Sequence, residues 1–148
     1  MSALLEQVRI DRIKVSQAAG TSDITSDAVD MSVDGGYRGC LFNVHFGDAT
    51  SGHVTKIKVQ GSSDDSSYSD LTGTLSTALG DTSGDKLLVV DIYRPAHRYL
   101  KLVVDRGTQN VEIDTIEAIL YENNTEKTAQ SSDVDSSEIH ISPAAGTA

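Results

Sequence analysis

The residues best suited to nucleophilic catalysis or metal binding are four histidines and one cysteine. His45, His53, His97 and His140 match neither H-x-x-x-H nor H-E-x-x-H, the spacings that direct two imidazoles to one metal ion. Cys40 opens an apolar alternation, so we expect it to be buried as a small hydrophobic side chain. A single cysteine also forms no intramolecular disulfide. We therefore predict a non-enzymatic protein without metal or cofactor.

An acidic loop over residues 64–70 is a further candidate for cation binding. Its sequence is DDSSYSD, and clustered carboxylates are ligands that calcium prefers. The loop lacks the EF-hand spacing and the bidentate glutamate, so a solvated hairpin turn is the competing interpretation. Glycine-rich phosphate loops and the serine motifs G-x-S-x-G and S-x-x-K do not occur in the sequence.

The charge balance narrows the class of partner. The chain has 22 acidic residues against 12 lysines and arginines, for a net charge of -10. Such a surface repels phosphate backbones and anionic membranes, so we expect neither nucleic acid nor a membrane as partner. The N-terminal residues lack a basic segment followed by an apolar one, and no run approaches about 18 apolar residues. We expect synthesis and folding in a cytoplasm.

Positive charge is concentrated in two short stretches, which we call the cationic islands. On a net-acidic chain, such islands are candidates for docking onto an assembly or for packing between subunits. The alternative is ordinary ion pairing at strand ends. The first island contains Arg9, Arg12 and Lys14, and the second contains Arg94, Arg98, Lys101 and Arg106.

The segments that would position these residues have the patterns of β-strands. Residues 40–46 alternate, and residues 54–60 place two lysines opposite two aliphatic side chains. Residues 86–93 and 99–105 are β-rich runs that flank a connector containing proline. Residues 111–121 could be read as helix or strand, and we favour strand because β-branched residues are frequent and no helix cap precedes them.

The number and spacing of these segments predict the fold class. Seven to nine short strands at intervals of about 8–12 residues are typical of a sandwich or jelly roll. With 148 residues, the chain has the length of one domain. We predict an all-β, single-domain antiparallel β-sandwich, jelly-roll-like, over residues 1–121, in which residues 1–14 could form an arm.

The C-terminal residues 122–148 differ in composition from the rest. Residues 122–137 are rich in Asn, Thr, Ser and Asp, as in a polar tether. Glu138, Ile139, His140 and Ile141 then recover a strand-like alternation. Such a segment could add a strand to a neighbouring chain or fold back onto its own sheet.

Several ordered stretches, each weak by itself, carry a resemblance to a protein family. They are VSQAAGTSDI at 15–24, GCLF at 39–42, VHFG at 44–47, QGSSDD at 60–65, DLTGT at 70–74, DIYRP at 91–95, RY at 98–99 and VVDR at 103–106. In this order they resemble head decoration, or cement, proteins of tailed bacteriophages over about residues 15–121. The resemblance implies a β-sandwich or jelly roll that assembles as dimers or trimers. It also implies binding to the major capsid protein on the outer capsid surface, without catalytic residues.

Two other classes of function remain open. A carbohydrate- or receptor-binding module on a phage fibre or tail would use exposed aromatic residues, for which Tyr37, Tyr68 and Tyr121 are the candidates. A jelly-roll enzyme of the cupin type would need a histidine cluster, which the spacing does not provide. For capsid decoration, we expect the contacts from the two cationic islands and from residues 138–141.

Overall fold

A computed structural model describes residues 3–81, 84–124, 130–139 and 145 of the chain. These residues form ten β-strands and two short 3-10 turns, Leu4–Glu6 and Val33–Gly35. The strands are β1 Val8–Lys14, β2 Gln17–Gly20, β3 Ile24–Thr25, β4 Val29–Asp30, β5 Tyr37–Ala49, β6 Lys56–Ser62, β7 Ser69–Asp70, β8 Leu87–Tyr93, β9 Tyr99–Asp105 and β10 Val111–Asn123. No helix in this part of the chain is long and apolar enough to cross a bilayer.

The strands form two antiparallel sheets of five strands each. Sheet A has the order β1-β10-β5-β8, with β2 also paired to β10, and sheet B has the order β3-β9-β6-β7, with β4 also paired to β9. The first strand therefore lies beside the last, and the chain crosses repeatedly between the sheets. This is the strand order of a jelly roll. The predicted all-β, single-domain antiparallel β-sandwich is confirmed.

The core lies between the two sheets and is built from alternate residues of the long strands. In β5, the alternation predicted for residues 40–46 is confirmed, because Cys40, Phe42, Val44 and Phe46 are all buried. A buried aromatic or aliphatic side chain contributes about 1.5–3 kcal/mol, so these rows supply much of the folding free energy. The facing residues from sheet B are Ile57, Val59, Leu100, Leu102 and Val104.

Strand β10 confirms the preference for strand over helix in residues 111–121, but its alternation is interrupted. A regular alternation would place Thr115 on the same face as Val111 and Ile113. The register shifts between Ile113 and Thr115, and Ile116 becomes the buried residue instead. Because strand side chains alternate with a period of two, one irregularity moves all later residues to the opposite face.

The N-terminal segment and the residues after β7 both lie along edges of the sheets. Residues 8–14, within the possible N-terminal arm, form β1 and pair with β10. Residues 71–79 follow the side of β6 away from β9. The amides of Leu71 and Ser76 donate to the carbonyls of Val59 and Ile57, each at 2.9 Å. This edge of sheet B is therefore covered.

Candidate interaction surface

The first cationic island lies on β1, where carboxylates balance part of its charge. Arg9 Nε lies 3.1 Å from Asp11 Oδ2, and Arg9 Nη1 lies 2.6 Å from Asp34 Oδ2. Arg12 is exposed and Lys14 is half-buried. Arg9 therefore forms ordinary ion pairs within the chain. Arg12 and Lys14 stay predicted contact residues.

The second island is divided between different environments. Arg98 donates two hydrogen bonds to the carboxylate of Asp30, at 2.9 and 3.0 Å. These bonds lower the pKa of Asp30 below its ordinary value. Arg94 is exposed in the turn after β8, and its guanidinium carbon lies 5.3 Å from the ring centroid of Tyr93. Arg94 thus keeps a position from which it could contact a partner.

Arg106 is buried, so it is not available for contact with a partner as the sequence predicted. Its side chain is 5% exposed. Nε donates to the carbonyl of Ser22 at 2.6 Å, and Nη1 donates to those of Ala18 and Val111 at 2.8 and 3.0 Å. A guanidinium carries five donors in a fixed fork, which suits it to several carbonyls at once. Arg106 therefore ties β2 and the turn after it to β10.

The arginines of the first island line a cleft of about 350 Å³ between β1 and β4. Aspartates outnumber arginines along its walls, so the island does not create a positively charged surface. The charged residues that line the cleft are Arg9, Arg12, Asp11, Asp27, Asp30 and Asp133.

The predicted C-terminal contact segment is only partly visible. Glu138 and Ile139 are exposed and lie outside any strand. His140 and Ile141 lie outside the described residues. Strand addition by this segment therefore stays a prediction.

The preceding residues 130–133 cover the free edge of β1 with side chains. Gln130 Oε1 accepts from the amide of Ile10 at 3.0 Å, and Gln130 Nε2 donates to the carbonyl of Val8 at 2.6 Å. Ser131 Oγ donates to the carbonyl of Ile10 at 2.9 Å. The carboxylate of Asp133 accepts from the amide two residues further along β1, at 3.0 Å. Backbone groups that a neighbouring strand would otherwise use are satisfied here.

The solvent side of sheet A, which we call the outer face of sheet A, carries many apolar side chains. Residues directly opposite each other on paired antiparallel strands share a face, so the strand registers identify these residues. They are Ile10, Leu41, Leu87, Val89, Tyr93, Ile119 and Tyr121. The solvent side of sheet B instead presents Lys56, Lys58, Gln60, Asp70, Lys101 and Asp105.

Strand β8 contributes the most exposed part of this apolar face. Leu87, Val89 and Tyr93 are 49%, 51% and 50% exposed. A half-buried antiparallel strand usually directs polar side chains to solvent, so three large apolar residues in this position are unusual. The sequence predicts this strand but not the exposure of its outer face. The apolar run of β8 is a pattern that predicts burial on both faces, but in the structure its outer face is about half exposed.

The absence of a side chain at Gly39 leaves room for an aromatic ring at one end of the outer face of sheet A. A Cβ atom at Gly39 would lie 2.0 Å from the ring of Tyr121, so only glycine lets this ring cross β5. The Tyr121 hydroxyl donates to Asp91 Oδ1 on β8 at 2.6 Å. The rings of Tyr121 and Tyr93 are nearly parallel, with centroids 6.4 Å apart. The rings from β8 and β10 thus form one aromatic surface that extends over β5.

A small polar cluster interrupts the apolar face. His45 Nε2 lies 3.0 Å from Glu117 Oε1, and Asn43 Nδ2 donates to the same oxygen at 2.9 Å. A carboxylate in this position can orient an imidazole, but general base catalysis also requires a nucleophile or a positioned water. His45 therefore lies on the outer face of sheet A, opposite the buried row of β5.

The acidic loop after β6 has the geometry of a hairpin turn. Asp64 Oδ1 accepts from the amides of Ser66 and Ser67 at 3.0 and 2.9 Å, and from Ser62 Oγ at 2.8 Å. The backbone hydrogen bonds hold the pKa of Asp64 well below its usual range. This carboxylate is therefore engaged within its own turn. In the described ranges, no group of three or more potential ligands is suited to a metal ion.

Cys40 and His53 are structural residues. Cys40 is fully buried, as predicted, and burial raises the pKa of its thiol far above the ordinary value. His53 is 4% exposed, with Nδ1 at 3.1 Å from Thr55 Oγ1 and Nε2 at 3.1 Å from the carbonyl oxygen of Gly80. Cys40 thus packs in the core, and His53 forms its contacts within the chain.

Comparison with known proteins adds little to this description. No family model matches the chain, and no curated protein matches it. Twelve chains of solved structures are similar to it. One, described as the crystal structure of FLHE, is 12% identical, with a TM-score of 0.39, and the alignment covers 80% of this chain and 96% of that one. A likeness this weak carries no argument.

Proposed function

We propose that this chain is a non-enzymatic virion protein that decorates and stabilises the outer surface of a tailed-phage capsid by binding the major capsid protein. The observation that carries the proposal is the apolar outer face of sheet A on a sandwich with a net charge of -10. Exposed apolar side chains that are concentrated on one face of a protein are typical of a site for protein contact. Under this proposal, sheet A faces the capsid and the charged sheet B faces solvent.

The composition of this face suits a protein partner. Tyr93 and Tyr121 supply rigid aromatic area, and Arg94 and Arg12 lie at its margins. Tyrosine and arginine are enriched in the energetically dominant part of protein interfaces. Each contact can be weak, because many copies bind to one lattice and the particle needs only their summed effect.

The resemblance to phage decoration proteins supports the same proposal. It extends over about residues 15–121, which nearly coincide with the sandwich. The jelly-roll order is also used by viral capsid domains, although a fold alone does not define a function. The protein would be made in the host cytoplasm and reside on the capsid surface of the virion.

Co-sedimentation with capsids tests the proposal. The purified chain is mixed with expanded capsids assembled from the major capsid protein of the proposed phage, and the pellet is assayed for the chain. We expect the wild type to sediment with capsids and Ile119→Lys, on the outer face of sheet A, to bind at least about tenfold more weakly. Gln60→Lys, on the solvent side of sheet B, is the matched control. Failure of the wild type to sediment would count against capsid decoration.

A carbohydrate- or receptor-binding module on a fibre or tail is a second candidate. The parallel rings of the exposed Tyr93 and the half-buried Tyr121 favour it, because a sugar can stack on such a surface. Of the predicted aromatic candidates, Tyr37 is 5% exposed, and Tyr68 carries the Lys101 ammonium 4.1 Å from its ring centroid. Binding on a glycan array that is lost in Tyr93→Ala would favour this candidate over capsid decoration.

A further inference from the structure

Strand β8 is a long edge strand without a neighbour on its outer side among the described residues. It spans Leu87–Tyr93 and pairs only with β5. The opposite edge of sheet A is covered along β1 by residues 130–133, and the edge strands β3, β4 and β7 of sheet B have two residues each. Edge strands are normally protected by shortness, charge, proline or a covering segment. β8 has none of these protections apart from Asp91.

The side chains of β8 are incompletely buried on both faces. Leu88, Val90 and Ile92 point toward the core but are only half-buried. Leu87 and Val89 are about half exposed on the other face. The sandwich is therefore open along this edge, and a neighbour would cover apolar surface on both sides.

Asp91, the only charged residue of β8, does not block this edge. The hydroxyl of Tyr121, two strands away, holds its carboxylate at 2.6 Å. That hydrogen bond draws the carboxylate over sheet A and away from the free side of the strand.

The backbone of β8 directs alternate residues to the free edge. The amide of Arg94 donates to the carbonyl of Arg38 at 2.7 Å, and the amide of Phe46 donates to the carbonyl of Lys86 at 3.0 Å. With the register of β5 and β8, these bonds assign the even-numbered residues to the β5 side. The odd-numbered residues, from Leu87 to Tyr93, therefore present their amides and carbonyls outward.

We propose that two copies of this chain pair antiparallel through β8, with the two-fold axis at Val90. Leu87 then lies opposite Tyr93 of the second copy, and Val89 lies opposite Asp91. Every outward-facing residue of the strand finds an outward-facing counterpart in this register. Moving the two-fold axis from Val90 to Val89 or to Asp91 leaves fewer residues paired. With the axis at Asp91, the two Asp91 side chains would in addition lie opposite each other and repel. The strand is thus self-complementary in one register.

The distribution of charge and the area that β8 could bury favour a second copy of the chain as its partner. They also determine the affinity that we expect. Two chains of net charge -10 repel each other, so the contact must form where charge is sparse, and β8 is such a place. At each end of the paired strands, Arg94 lies near Asp85 and Lys86 of the other copy. One of these contacts is attractive and the other is repulsive. Seven residues at about 3.3 Å each, across both layers of the sandwich, bury on the order of 900 Å² in total. We therefore expect a weak dimer in the micromolar range that salt strengthens.

Site-specific disulfide formation tests the register. Val90→Cys places two thiols at the two-fold axis, where non-hydrogen-bonded partners have Cα atoms about 4.5 Å apart, within disulfide reach. Leu88→Cys is the matched control, because it is also half-buried and core-facing but would lie about 13 Å from its counterpart. The native Cys40 is buried and does not compete. We expect a covalent dimer from Val90→Cys and none from Leu88→Cys.

Sedimentation of the unmodified chain tests the association itself. We expect a monomer–dimer equilibrium whose dissociation constant rises at least about tenfold in Val89→Lys. Val54→Lys is the control, since Val54 and Val89 are both 51% exposed. A wild type that stays monomeric at about 100 µM would overturn the proposal, and so would equal cross-linking of both cysteine variants. A monomer would indicate that the edge stays open, accepts a capsid strand or is covered by the chain's own C-terminal residues.

The dimer does not depend on capsid decoration. It is measured with purified protein alone, so its failure would leave the capsid proposal standing. A dimer that fails to bind capsids would reject only the capsid proposal.

Discussion

Replacing the buried Arg106 by methionine should destabilise the protein strongly. Arg106 is 5% exposed, and its guanidinium donates to the carbonyls of Ser22, Ala18 and Val111. Arg106→Met keeps most of the aliphatic stem but removes all three donors.

The size of the effect follows from these bonds and from the burial of the charge. A hydrogen bond from a charged group contributes about 1.5–3 kcal/mol, but the contributions are not additive. Relief of the desolvation cost of the buried guanidinium offsets part of the loss. We expect the free energy of unfolding to fall by about 3 kcal/mol, which corresponds to about 6–12 °C in Tm for a domain of this size.

Urea unfolding followed by circular dichroism provides the assay, and Arg12→Met provides the control. Arg12 is exposed, so the same substitution there should change the free energy of unfolding by no more than about 0.5 kcal/mol. Arg106→Met should also increase hydrogen exchange in β2, because this strand loses its link to β10. A loss below about 1 kcal/mol, or equal losses in the two variants, would refute the structural role of Arg106.

Two further predictions concern the outer face of sheet A and the pH dependence of stability. Gly39→Ala should cost about 1–3 kcal/mol in urea unfolding, because its Cβ would collide with the Tyr121 ring, and Tyr121→Ala in the same background should recover part of this loss. The hydrogen bond from Arg98 lowers the folded-state pKa of Asp30 below its ordinary value. Its contribution to stability is therefore present above the unfolded-state pKa of an aspartate, about 4, and is lost as the pH falls through the folded-state pKa. Asp30→Asn should therefore lower the urea midpoint at about pH 7 more than at about pH 3. Equal differences at the two pH values would contradict this assignment.

The sequence predicts those parts of the fold that depend on local alternation. The buried row of β5 begins at Cys40 and follows a period of two, so one strand determines which side of sheet A faces the core. The preference for strand in β10 rests on β-branched residues and the missing helix cap. Both inferences use neighbouring residues only, and the structure confirms both.

The remaining features depend on contacts between residues distant in sequence. Nothing near Arg106 distinguishes it from an exposed cation, because its partners Ala18 and Ser22 lie more than eighty residues away. The gap at Gly39 has meaning only when the ring of Tyr121 crosses it. The exposed face of β8 was equally hidden, since an apolar run looks the same whether its neighbour belongs to the same chain or to another.

An electron cryo-microscopy map of capsids that bear this chain tests the proposed capsid decoration most directly. If the chain decorates the capsid as proposed, we expect density for this jelly roll on the outer capsid surface, with the outer face of sheet A against the major capsid protein and sheet B toward solvent. Density for the chain on a fibre or tail, or on the capsid with sheet B against the shell, would contradict it.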